Sequence, residues 1–377
     1  MAKRQEQEDA RDEVREVAPN VLRMELPIRI PGLGHVNCYG LVDDQGVALV
    51  DPGLPGPLSW RALQDRLRRA GLAVRHVHTV IVTHSHPDHF GGATRLVREA
   101  GAKVVAHHAF SFGMFGGGGP KGVHVEASAE DLAAQREVER ELRQQESAEA
   151  TGRDTAAQTT AEEWKRIWAG RTPWGGRSSR RRTLMYLAWR AVRWVSGSPL
   201  VPRITAPVEH GQVLRLAGRE WFMLHTPGHT PDHVCLHDPA EGLLLAGDHV
   251  LPSITPHISG VSPNPDPLQA FFYSLDRVGE IQGVRTVLPA HGHPFSDLRA
   301  RTLAIKAHHM DRLQRIREIG RELGAATVED FSKRLFRPTA WGSMAESETF
   351  AHLEHMRIGR EADRYEDEEG RFVYLIR

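Results

Sequence analysis

At 377 residues the chain exceeds one ordinary core and suits a large domain with a smaller one attached. Its 48 Lys and Arg balance 48 Asp and Glu, so no global field draws it to nucleic acid or a membrane surface. The charged start has no apolar segment of the signal-peptide kind, and no later run reaches the length of a membrane span, which leads to the expectation of a cytoplasmic protein. Low cysteine use fits a reducing compartment: Cys38 and Cys235 both lie in apolar strand-like runs and read as buried thiols.

Residues 1–18 read as a polar arm, frayed or disordered, with no chemistry of its own. Val21–Leu26, Val36–Val42 and Val47–Val50 then read as successive strands, the last two joined by the turn Asp43-Asp44-Gln45-Gly46. Asp51-Pro52-Gly53 closes this meander, and Leu58–Ala70 has helical spacing with a stop at Gly71. Val80–Val82 is a short β-branched strand that runs straight into Thr83-His84-Ser85-His86-Pro87-Asp88-His89, after which helical spacing continues to Ala100.

Three histidines and an aspartate within six positions on a strand-to-helix turn mark a metal site. Imidazole and carboxylate suit zinc, iron or manganese, and the lack of cysteine argues against a closed structural zinc site. Three single residues join the set: His229 in Thr226-Pro227-Gly228-His229-Thr230, Asp248 after Leu244-Leu245-Ala246-Gly247, and His291 after Val287-Leu288-Pro289-Ala290. Each stands at or just beyond the exit of an apolar strand, so all can meet at one sheet edge.

With these residues in this order the chain resembles the metallo-β-lactamase superfamily, whose His-x-His-x-Asp-His run, later His, later Asp and final His all occur here. The resemblance implies an α/β fold, the four-layer αββα sandwich, spanning 19–298. It also implies two adjacent divalent metal ions, zinc foremost with manganese and iron as alternatives. One would be held by His84, His86 and His229 and the other by Asp88, His89 and His291, with Asp248 between them. Asp51 would support the ligands from behind, and His233, in Gly228-His229-Thr230-Pro231-Asp232-His233, would do the same or simply pack. That hexapeptide looks like the branch holding mitochondrial endoribonucleases and acyl-carrier-protein thioesterases.

From 109 to 207 the chain departs from the plain family layout in a helical insertion. Gly113 to Gly122 is glycine-rich, but Pro120 stands before Lys121 and no Ser or Thr follows, so it is no phosphate loop. Glu130 to Glu149 is a charge run and reads as solvated. Trp164, Trp168, Trp174, Tyr186, Trp189 and Trp194, interleaved with arginines from Arg166 to Arg193, allow three readings: a packed cap, a lid over an apolar substrate with an anionic handle, or a basic interaction surface. Among the functional readings the lid is favoured.

Beyond the strands Val213–Leu216 and Trp221–Leu224, residues 299–377 show helix, helix, helix, hairpin, a winged-helix-like order that the resembling branch also carries. The acids from Glu346 to Glu369 would repel a duplex, which favours a wall or dimer contact, leaving a homodimer open and nucleic acid disfavoured.

The implied mechanism is hydrolysis by a water acidified from 15.7 toward roughly 7 between two metals. Asp88 would orient that water, and Asn37, Tyr39 and His257 are candidates to contact substrate or oxyanion. A thioester or other small acyl ester or lactone with an anionic group is the favoured substrate. A phosphodiester or RNA is the alternative, and a non-catalytic, metal-stabilised binding protein is the alternative of another class.

Overall fold

The computed structural model describes residues 3–30, 32–111, 172–175 and 201–377. A seven-stranded sheet takes its strands in chain order: β1 (Val14–Ala18), β2 (Val21–Ile30), β3 (Leu33–Asp43), β4 (Gly46–Val50), β5 (Val77–Ile81), β6 (Lys103–His107) and β7 (Ala206–Val208). The first four pair antiparallel and β4 to β7 parallel, with α1 (Pro57–Arg69), α2 (Pro87–Phe90) and α3 (Ala93–Ala100) in the crossovers. A second sheet has the order β12-β11-β10-β9-β8, from β8 (Val213–Leu216), β9 (Arg219–His225), β10 (Val234–Asp238), β11 (Leu243–Gly247) and β12 (Thr286–Pro289). Helix α4 (Pro267–Gly279) connects β11 to β12, which are parallel.

Strand periodicity sorts the core into layers. Along β4, Val47 and Leu49 face α1 and α3 while Ala48 and Val50 face the second sheet; along β11, Leu243 and Leu245 face the first sheet while Leu244 and Ala246 face α4. Three apolar layers follow, helix on sheet, sheet on sheet and sheet on helix, which is the αββα sandwich. Each fully buried Leu or Val in them contributes about 1.5–3 kcal/mol of transfer free energy.

The continuous helix expected from His89 to Ala100 is broken. Gly91 and Gly92 separate α2 from α3, and both positions require glycine: a Cβ at Gly91 would stand 2.1 Å from Pro55 N, and one at Gly92 2.4 Å from Pro52 O. The arm expected to fray is instead fixed. Val14–Ala18 is an edge strand, and the Glu6 carboxylate is fully buried, accepting from Ser253 N at 2.7 Å and Ile254 N at 3.1 Å. Cys38 and Cys235 are buried free thiols.

After β12 the chain forms α5 (Leu298–Leu323), β13 (Ala326–Thr327), α6 (Val328–Leu335), α7 (Ser343–Ile358), β14 (Ala362–Glu366) and β15 (Phe372–Ile376), with the small sheet ordered β13-β15-β14. Asp297 caps α5 by accepting from Ala300 N, and Thr327 with Asp330 forms a capping box on α6. The acids here are not the open negative surface expected. Glu348 and Glu354 are buried, and Glu361, Asp363 and Asp367 pair with Arg317, Arg377 and Arg371. No described helix is long and apolar enough to cross a membrane.

Candidate metal centre

The turn after β5 is shaped by its own residues. Thr83 to His86 leave the strand, His86 occupies the N-cap with φ −87° and ψ 144°, and Pro87 takes the first helical position, where its missing N–H costs nothing. His84 and His86 therefore project before α2 begins, and Asp88 and His89 project from its only turn. Opposite, Gly247 ends β11 at φ +52°, and a Cβ there would meet His233 Nε2 at 2.6 Å, so glycine is needed just before Asp248.

All seven ligand-type residues converge. His84 Nε2 and His229 Nε2 each lie 3.0 Å from His86 Nδ1. Asp88 Oδ2 stands 3.6 Å from both His89 Nε2 and His291 Nε2. Asp248 touches both groups: Oδ2 is 3.6 Å from His229 Nε2, 3.9 Å from His84 Nε2 and 3.7 Å from His89 Nε2, while Oδ1 is 3.3 Å from His291 Nε2. The ligand atoms form one set of four, His84, His86, His229 and Asp248, beside one of three, Asp88, His89 and His291.

Four of the five remote nitrogens are tied down, as ligating imidazoles favour. His89 Nδ1 lies 2.8 Å from Asp51 Oδ2, His229 Nδ1 2.6 Å from His257 O, His291 Nδ1 2.6 Å from His35 O, and His84 Nδ1 3.0 Å from Thr83 Oγ1. Asp51 also accepts from Thr83 N and Thr83 Oγ1, and it does so from φ +56°, a left-handed conformation costly for a non-glycine residue. His233 is fully buried: Nε2 accepts from Asp248 N at 3.1 Å and Nδ1 meets Thr226 Oγ1 at 2.7 Å.

The donor set fits divalent metal. Three buried ligand atoms, His89 Nε2, His291 Nε2 and Asp248 Oδ1, make no hydrogen bond among the described residues, an arrangement that is expensive unless a cation fills it. The electrostatics agree. Burial alone would lower His89, yet Asp88, Asp51 and Asp248 raise it to about 10; burial is likewise outweighed at His291, which is raised by Asp248 and Asp88. Burial and neighbouring imidazoles hold His84 and His86 well below the usual imidazole range, so both offer bare nitrogens. The carboxylates thus attract positive charge that protons supply when no metal does.

Asn37 and Tyr39 have a different place from the one expected. Asn37 Nδ2 donates to Pro289 O and Gly292 O, its Oδ1 accepts from Arg23 Nε, and Tyr39 Oη donates to Pro289 O at 2.8 Å. Their polar atoms are spent bracing the loop that carries His291, which replaces the oxyanion reading. His257 sends its backbone carbonyl to His229, and its half-buried ring meets Glu348 Oε2 at 3.3 Å. Trp174 is buried against Phe350, donates to Glu346 from Nε1 and accepts from Phe372 N, so it anchors its stretch to the C-terminal helices and hairpin. The glycine-rich run, the charge run and the remaining aromatic and arginine positions of the 109–207 insertion lie outside the described residues.

Sequence reasoning missed Thr83, Thr226, His35 and the Ser85–Asp232 pair, in which Ser85 Oγ donates to Asp232 Oδ1 at 2.9 Å. Burial raises the Asp232 carboxyl to about 6. The adjacency of Thr83 and Ser85 to the histidines was the only signal available for them.

Residues 31–306 match the model of the metallo-beta-lactamase superfamily, and the chain belongs to that family. A metallo-beta-lactamase family protein from Thermus thermophilus is 25% identical, with a TM-score of 0.66 over 96% of this chain and all of that one. A beta-lactamase domain protein from Burkholderia ambifaria shares the fold at 24% identity, TM-score 0.68, over 98% of this chain and 96% of that one. Among curated relatives, a lactamase-like protein of Aspergillus sp. (strain MF297-2) is 29% identical over 41% of this chain and 43% of its own length. An atrochrysone carboxyl ACP thioesterase of Aspergillus aculeatus is 33% identical over 24% of this chain and 27% of its own. The chain thus spans less than half the length of these curated relatives.

Proposed function

We propose that the chain is a metal-dependent hydrolase of thioesters or other small acyl esters or lactones bearing an anionic group. The observation that carries this is Asp248 standing between two sets of ligand atoms, three of which are buried without hydrogen bonds among the described residues. Two divalent ions, zinc foremost with manganese or iron also suited to the nitrogen and oxygen donors, would be held by His84, His86 and His229 and by Asp88, His89 and His291, with Asp248 shared. Bound there, such ions acidify water and polarise the carbonyl under attack.

The chain's own residues orient this chemistry. Asp51, through Thr83 and directly, fixes His84 and His89; the carbonyls of His257 and His35 fix His229 and His291; His233 holds the Asp248 backbone. Asp88, whose close polar neighbours among the described residues are imidazoles, is the carboxylate free to orient the attacking water. The acyl preference is supported by the thioesterase names of several relatives and by the arginine and aromatic run of the insertion, which suits an apolar chain with an anionic handle. The same reading takes 19–298 as the catalytic unit and 299–377 as an appended winged-helix-like unit in the cytoplasm.

Metal content by elemental analysis, run beside assays with a thioester, a lactone, a chromogenic phosphodiester and a short RNA, tests the proposal. Asp248→Ala and His86→Ala should each lose metal and ester turnover together. Normal metal and full turnover in either variant sinks the assignment. Cleavage of phosphodiester or RNA alone promotes the nuclease reading, for which the helix and hairpin order after 298 speaks, and metal-dependent stability with no turnover promotes a binding protein.

A further inference from the structure

Helices α5 and α7 bury a second group of ligand-type side chains. His309 and His352 are fully buried and Glu348 nearly so, and one ligand atom from each lies within 4.8 Å of the others. Glu348 and His352 stand one turn apart on α7 and so share a face, which His309 meets from α5.

The proton positions favour ligation. His352 Nδ1 lies 2.7 Å from the Glu348 carbonyl oxygen, which can only accept, so Nδ1 carries the proton and Nε2 is bare. That bare nitrogen faces His309 Nδ1 at 3.1 Å, close to the 3.0 Å separating His84 from His86 and His229 from His86. His229 and His291 spend Nδ1 on carbonyls in the same way. His309 thus offers Nδ1 to the same point as His352 Nε2, while its Nε2, on the far side of the ring, is buried with no hydrogen-bond partner among the described residues.

Charge and surroundings are compatible with a cation. Burial lowers His352 to about 4 and His309 well below the usual imidazole range, so both are neutral at pH 7. Burial would raise Glu348, but His257 and Arg312 outweigh it and keep the carboxylate ionised. Arg312 donates to Oε1 and His257 approaches Oε2, yet each carboxylate oxygen has a second lone pair, and ligating carboxylates are commonly hydrogen-bonded in this manner. The rings of Phe271 and Phe272 lie edge-on to His309 and keep one side apolar.

We propose that His309, Glu348 and His352 form a further divalent-metal site, separate from the hydrolytic centre, that takes zinc. Two imidazoles and one carboxylate leave room for a water as fourth ligand. The site clamps α5 to α7. Through Glu348 and His257 it also steadies the loop whose carbonyl orients His229.

The test is zinc per chain in the full-length protein after dialysis against buffered zinc, for wild type, His352→Gln, His309→Asn and Asp248→Ala. Wild type should hold one more zinc than either histidine variant. Chelated Asp248→Ala protein should rise in Tm as zinc is added, since a ligand that binds only the folded state stabilises it, and His352→Gln or His309→Asn in that background should abolish the rise. If one variant fails to fold, the other carries the comparison. Equal zinc in wild type and both histidine variants, with no such Tm rise, overturns the site and leaves His309 donating a proton to His352. Failure of the hydrolytic centre reads differently: Asp248→Ala would keep the wild-type metal content while His352→Gln still lost one zinc.

Discussion

His84, His86, Asp88 and His89 all leave a single turn and are braced largely by side chains, whereas His229, Asp248 and His291 come from three separate turns and are braced largely by backbone. In the first half one carboxylate, Asp51, reaches two ligands at once, directly at His89 and through Thr83 at His84. In the second half the carbonyls of His257 and His35 do the same work and cannot be deleted by substitution. The side-chain supports there are spread out: His233 accepts from Asp248 N, while Asn37 and Tyr39 brace the His291 loop by donating to Pro289 O. One half therefore concentrates its support in a single residue, and the other distributes it over the fold.

This difference predicts unequal sensitivity. Asp51→Ala should lower metal affinity and turnover toward the upper end of the roughly 10–100-fold range for outer partners of metal ligands. It strips His89 of its anchor and frees Thr83 from both its bonds to the carboxylate. Competition against a chromogenic chelator measures the affinity, and a loss smaller than that of a His233 variant would break the comparison. His233→Gln should fall toward the lower end, about 10-fold, because Asp248 loses one backbone anchor while its carboxylate keeps its place among four imidazoles.

The same contrast explains how much could be read from the chain. The first half is contiguous, so its spacing alone marks a metal turn. The second is legible only because each ligand follows an apolar strand, and placing three such strands at one edge needs the sheet order, which periodicity does not supply. Supporting groups were largely hidden. His35 acts through its carbonyl, which every residue has, and Glu6 looked like one acid among many in a charged arm until its carboxylate proved to hold Ser253 and Ile254. The break at Gly91-Gly92 was signalled locally by two adjacent glycines, but the close approach of Pro52 and Pro55 that requires glycine there comes from residues that precede α1.

Tyr39 offers the smallest and most discriminating change. The alternation of β3 places Tyr39 and Leu41 in the layer between the sheets, so the side of the sheet was already encoded, although the partner of the hydroxyl was not. Burial pushes the phenol above its ordinary range, and the neutral hydroxyl donates to Pro289 O. Tyr39→Phe deletes that donor, but the same carbonyl keeps Asn37 Nδ2 at 2.8 Å, so no buried acceptor is orphaned. The expected cost is one neutral hydrogen bond, about 0.5–1.5 kcal/mol in urea unfolding, with metal content unchanged. Turnover of whichever ester the wild type hydrolyses should stay within a few fold. Had the hydroxyl served the developing oxyanion, the rate would instead fall by about 10²–10³ with stability nearly intact. The two outcomes move opposite observables, so this one variant separates bracing of the His291 loop from direct contact with the reacting atoms.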